Sequence, residues 1–199
     1  MNAIESITLE VNDLSAAEAF YTSAFQIGDR LRLVDGDSAT SGFRGFTLSL
    51  VASQPADVDA LLRSATDAGA TVLKPVAKTL WGYGGTVQAP DGTIWKAATS
   101  AKRSSTDGAL RFDSLVLLLG VEKVADSQRF YVDRGFERGR RVGNYAELGA
   151  STDAVRLALY KRSALAKDAG VPVDGSGSHR LRIHPTTGRF TDPDGFRWE

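Results

Sequence analysis

Cysteine is missing from all 199 residues, which excludes disulfides, thiolate metal ligands and a cysteine nucleophile together. Histidine is nearly as scarce, with 2 copies, so little imidazole is on hand for a metal centre. Neither sign of charge prevails. The 24 basic and 24 acidic side chains cancel, leaving no global field to draw in nucleic acid or an anionic membrane. Arginines gather in the last third but are interleaved with acids, the pattern of a mixed, solvated surface. No apolar run approaches a bilayer span, the longest being Leu115 to Leu119. The opening Met-Asn-Ala-Ile-Glu lacks the basic and apolar parts of a signal peptide. A phosphate loop, a dinucleotide fingerprint and a nucleophile elbow are absent too: Gly42 and Gly45 precede no Lys-Ser or Lys-Thr, and Gly82-Tyr83-Gly84 leads into a strand. The expectation is a cytoplasmic protein with neither nucleic-acid nor membrane partners.

What is present is a duplication. Ile7-Thr8-Leu9-Glu10-Val11 precedes a segment with Phe20-Tyr21, and Leu115 to Leu119 precedes one with Phe130-Tyr131, 110 residues further on. Asp67-Ala68-Gly69 returns as Asp168-Ala169-Gly170 at an offset of 101. Pro90-Asp91-Gly92-Thr93-Ile94-Trp95 returns as Pro193-Asp194-Gly195-Phe196-Arg197-Trp198 at an offset of 103. Three landmarks in one order, at nearly one spacing, define two copies, the second trimmed in its middle.

Within a copy the periodicities alternate. Ile7, Leu9 and Val11 share one face, as in a half-buried strand. Asp13 or Ser15 can cap a helix carrying Ala16, Phe20 and Ala24, with Gly28 placed for a left-handed end. Leu31, Leu33 and the run 46–51 predict strands. Residues 57–68 predict an amphipathic helix through Val58, Leu61, Leu62 and Ala65. The segments 72–74, 84–88 and 93–97 predict closing strands around a Pro90-Asp91-Gly92 turn. Residues 101–110 are polar and read as a linker between domains at 1–100 and 111–199.

The strings ITLEVNDLSAAEAFYTSAF, LVLLLGVEKVADSQRFYVDRGF, VDALLRSATDAGATVLKP, GYGGTVQAPDGTIW and FTDPDGFRWE resemble the vicinal oxygen chelate superfamily of glyoxalase-, dioxygenase- and bleomycin-resistance-like proteins. The resemblance spans almost the whole chain. It implies an α+β fold of tandem βαβββ modules whose mixed sheets curl into cups with a ligand cavity on the concave side. It also implies a divalent metal held by His and Glu, and here the sequence departs from the pattern. The first ligand position falls on Ser6 and Val116, the second on Phe46 and near Val155 or Arg156, and the last on Lys96 and Glu199. A rival alignment, matching GSHRLRI to the histidine strand, makes His179 and Glu199 candidate metal ligands with Ser6 as a third. It leaves about ten residues before the closing turn and no room for a helix. The alignment that makes 163–170 that helix keeps the repeat spacing and is preferred.

With no metal favoured, the candidate ligand-binding residues are aromatic. Trp81 and Tyr83 stand among glycines, and Phe43, with Arg44, sits in a loop beside the strand that begins at Phe46 and could edge the cavity. Trp95 and Trp198 read as core, while Lys74, Lys78 and Lys96 could neutralise an anion or simply be solvated. The expectation is a metal-independent monomer or homodimer holding a small apolar or aromatic molecule. A metal-dependent glyoxalase-like lyase or dioxygenase is the alternative, and a non-catalytic regulatory protein is a third.

Overall fold

Alternation sets the first element. Strand β1 (Ile4–Val11) buries Ile7, Leu9 and Val11 on one face, and Asp13 then caps helix α1 (Leu14–Ala24) by accepting the Ala16 N–H at 2.9 Å. The computed structural model describes every residue except Leu80, Trp81 and Ser151. The first copy continues with β2 (Leu31–Asp35), β3 (Thr40–Gly42), β4 (Phe46–Val51), α2 (Pro55–Asp67), β5 (Thr71–Thr79), β6 (Gly82–Gln88) and β7 (Ile94–Thr99). The second holds β8 (Ser114–Val121), α3 (Val124–Val132), β9 (Arg138–Val142), β10 (Tyr145–Leu148), β11 (Val155–Lys161), α4 (Arg162–Ala169), β12 (Gly175–Gly177), β13 (Leu181–Pro185), β14 (Phe190–Thr191) and β15 (Arg197–Trp198).

Pairing groups these strands into modules. β4, α2, β5, β6 and β7 form one complete βαβββ unit, with β7 parallel to β4 and the β5–β6–β7 meander antiparallel. β8, α3, β9, β10 and β11 form a second, with β11 parallel to β8. The two units join through antiparallel β4 and β8, where Leu48 faces Leu117. The remaining strands make an abridged pair. β2 lies parallel to β1, β15 lies parallel to β13, and antiparallel β1 and β13 join them, with Ile7 facing Ile183. Both joins therefore unite strands from different copies. One residue pair, Ile4 with Val155, links the two sheets into a 13-stranded whole.

The aromatic core lies under α1, α2 and α3. Trp95 and Trp198 occupy equivalent places, 0% and 1% exposed, each ringed by the aromatics of its own copy. The helix tyrosines tether the closing turns: Tyr21 donates to Asp91 at 3.1 Å, and Tyr131 donates to Asp192. Burial pushes both phenols well above their ordinary range, which keeps them as donors.

The polar segment after β7 is docked rather than free. Gln54 binds the Ser105 and Thr106 N–H groups, and the buried Asp57 carboxylate accepts from the Ala109 N–H at 2.9 Å and Arg111 Nε at 3.0 Å. Among the described residues no helix is long and apolar enough to cross a membrane.

Candidate functional site

Each sheet has a second face, turned away from α1–α3, where period-two alternation places the residues between the core positions. On the eight-stranded sheet this inner face carries Thr47, Ser49 and Val51 of β4, Val116, Leu118 and Gly120 of β8, Lys96 and Ala98 of β7, and Ala158 and Tyr160 of β11. α4 lies against it. Leu165, Ala166 and Ala169 make a second, smaller core with Phe43 and Ile94, and Leu118, Tyr160, Leu73 and Val171 pack around it. Gly120 makes the approach possible. A Cβ there would come 2.7 Å from the Gly45 carbonyl oxygen and 3.3 Å from Arg162 Cα.

This arrangement corrects one expectation. The helix at 163–170 exists, as α4, and follows the strand at Val155–Lys161 as expected, but it occupies the opposite face of the sheet from α1–α3. The strand equivalent to β4 is β13, not β11, because β13 faces Ile7 and flanks Trp198 as β4 faces Leu117 and flanks Trp95. No helix lies between β13 and β14. The GSHRLRI alignment is the one the pairing supports.

α4 leaves part of the inner face uncovered. A cavity of about 360 Å³ remains beside it, walled by Pro75, Ala77, Tyr83, Gly84 and Ala98, with Lys74, Lys96 and Asp168 at its polar end. Lys96 Nζ meets Asp168 Oδ2 at 2.7 Å, and Lys74 Nζ donates to the Lys167 carbonyl at 2.7 Å. Tyr83 is half-buried and donates to Asp59 Oδ1 at 2.7 Å, a bond that, with burial, raises its phenol above the ordinary range. Burial, and then the nearby Asp168 charge, raises Tyr160 as well.

Of the aromatic candidates, Tyr83 lines this cavity. Phe46 does not: it is 2% exposed and sits on the core side of β4, because the alternation that puts Thr47 inward turns Phe46 outward towards the helices. Phe43 is buried against α4, with the Arg162 guanidinium 5.1 Å from its ring centre, and walls the helix rather than the cavity. Trp81 lies outside the described residues. Asp168 was not singled out by sequence reasoning, and its place in the Asp-Ala-Gly repeat pointed to a helix end rather than a cavity.

The metal candidates are not brought together. His179 Nδ1 lies 2.5 Å from the Arg44 carbonyl oxygen, Nε2 lies 3.3 Å from that of Asp194, and the ring stacks on Phe196 at 4.0 Å. The histidine beside Glu199 is His184, whose Nδ1 is 3.2 Å from the Glu199 backbone oxygen and whose Nε2 is 2.7 Å from Thr8 Oγ1. On the eight-stranded sheet the positions equivalent to Ser6, His184 and Glu199 hold Val116, Ser49 and Lys96, an apolar group and an ammonium among them. Among the described residues no three His, Asp or Glu side chains converge. These donor sets do not fit a divalent cation.

Paired βαβββ units, joined through their first strands and curled with helices outside, define the glyoxalase/bleomycin-resistance-like fold, the fold of the vicinal oxygen chelate superfamily. No family model and no curated protein sequence matches the chain. Solved structures do. Glyoxalase I from Zea mays superposes with a TM-score of 0.64 at 15% identity, over 100% of this chain and 91% of that one. A mutant of that enzyme gives 0.66 at 14% identity with the same coverage. A dioxygenase described as putative, from Bacillus subtilis, gives 0.56 at 11% identity, over 92% of this chain and 69% of that one.

Proposed function

We propose that the protein binds a small, largely apolar or aromatic molecule in the cavity between β5–β7 and α4, without a metal. The observation that carries this reading is the cavity itself. At about 360 Å³ it is within the range of small-molecule sites, and Val51, Pro75, Ala77, Ala98 and the Tyr83 ring give it apolar walls, interrupted by threonines. Two lysines and an aspartate gather at one end, where they orient a polar substituent without desolvating a lone charge. Lys96 stands where a metal-binding relative of this fold would need an acceptor, so the site grips its ligand by shape and hydrogen bonds.

Thermal-shift screening with planar aromatic compounds, neutral and carboxylated, tests the proposal. A compound present at 100 times its Kd stabilises the fold by about 2.7 kcal/mol. Tyr83→Ala and the cavity-filling Ala98→Phe are each expected to weaken a hit at least tenfold. A panel without hits, or hits indifferent to both substitutions, would remove the cavity as the binding site.

A further inference from the structure

The abridged five-stranded sheet carries on its inner face a row of side chains fixed by register. Arg32 of β2 lies beside Thr8 of β1, Thr8 lies opposite Arg182 of β13, and Arg182 lies beside Arg197 of β15. Their chain neighbours Leu31, Leu33, Ile7, Leu9, Leu181, Ile183 and Trp198 all pack in the aromatic core, so alternation sends the whole row to the other side. Adjacent strands are about 4.8 Å apart, which puts Arg182 one strand spacing from Arg197 and two, about 10 Å, from Arg32.

Three guanidinium groups thus share one face, two of them on adjacent strands at matching positions, where like charges disfavour the sheet. Among the described residues none of the three makes an ion pair; the pairs found involve Lys96, Arg111, Arg129 and Arg140. The carboxylate lining the same hollow is Glu10. It accepts the Ser38 N–H at 2.7 Å, and that bond, with the field of Arg180 and Arg182, holds it below the ordinary carboxylate range, so it offsets only part of the row's charge. Arg182, Arg197 and Glu10 line a hollow of about 440 Å³, walled by residues 177–181 and Gly195. One position along, the Ser6 hydroxyl is buried and has no hydrogen-bond partner.

We propose that this hollow is a second binding site, for a small molecule bearing an oxyanion, either carboxylate or phosphate. Arg182 and Arg197, paired in register and lining one hollow, each offer a fork of N–H donors that suits bidentate contact with a carboxylate or two phosphate oxygens. Arg32 adds positive charge beyond Thr8, which favours a ligand with a second anionic group. The ligand's negative charge relieves the repulsion that the row otherwise carries.

Calorimetric titration of the full chain with inorganic phosphate, pyrophosphate and succinate, at constant ionic strength against chloride, tests this. Saturable binding of at least one is expected, and the arm that binds tighter tells phosphate from carboxylate chemistry. The double variant R182Q/R197Q is expected to weaken binding at least tenfold, whereas R103Q, in the segment after β7, is expected to leave it unchanged. The exposed R197Q alone serves if the double variant does not fold, with an expected loss of at least threefold. Tyr83→Ala should not alter phosphate binding, so this site and the cavity beside α4 succeed or fail separately. Absence of saturable binding, or equal binding by wild type and arginine variants, overturns the proposal.

Discussion

Lys96 and Asp168 meet at 2.7 Å across the two copies, tying the closing strand of the first to the helix that fills the inner face of the second. Both side chains are about one-third exposed, so the pair contributes at most about 1 kcal/mol. Its effect is expected to be local. In Lys96→Met the amides of α4 should exchange with deuterium several-fold faster, while those of β8 keep their wild-type protection.

Leu165 anchors α4, and it is 1% exposed. Leu165→Ala is expected to cost about 2–4 kcal/mol, the usual range for a leucine truncated in a packed core. Urea unfolding gives the number. Unchanged stability would mean that α4 does not pack as described.

Asp57 makes acid stability sensitive to the docked segment after β7. Burial pushes its carboxyl upward, but the Ala109 N–H, Arg111 and Gln54 outweigh that and leave it below the ordinary carboxylate range. A group whose folded value is depressed adds stability that is complete above the unfolded value, near about 3.9. That stability is lost as pH falls through the folded value. Asp57→Asn is therefore expected to lower stability at pH 7 by about 1–3 kcal/mol and to flatten the decline below about pH 4. Thermal melts of both proteins between pH 2 and 7 are the check.

Phe46 and Tyr83 should separate cleanly. Phe46→Ala removes a fully packed core ring and is expected to cost about 3–5 kcal/mol. Tyr83→Ala, at the wall of a cavity, is expected to cost less than half of that. Denaturant midpoints of the two variants decide it.

Much of the scaffold was legible in the chain. The 110 and 103 spacings reappear as physical equivalence: Ile7 and Leu117 occupy matching places, as do Trp95 and Trp198. The Asp13 cap, the helix through Val58 and Leu61 and both core tryptophans follow from local pattern. What did not follow was which strand pairs with which, because register is a long-range property. β11 and β13 are both apolar and alternating, and only the partners Leu117 and Ile7 tell them apart. The inward turn of Thr47, rather than Phe46, has the same origin. The arginine row was hidden for the same reason: Arg32 and Arg182 lie 150 residues apart and become neighbours only through β1. Sequence reading saw the arginines of the last third interleaved with acids along the chain, and could not see Arg32 brought alongside them across the sheet.

Both long joins, β4 with β8 and β1 with β13, tie one copy to the other. A cut in the connecting segment would therefore not release two autonomous halves. Each fragment would bare two unpaired edges shaped for the missing half. The pieces should accordingly reassemble with one another when mixed, or trade strands between identical copies when kept apart.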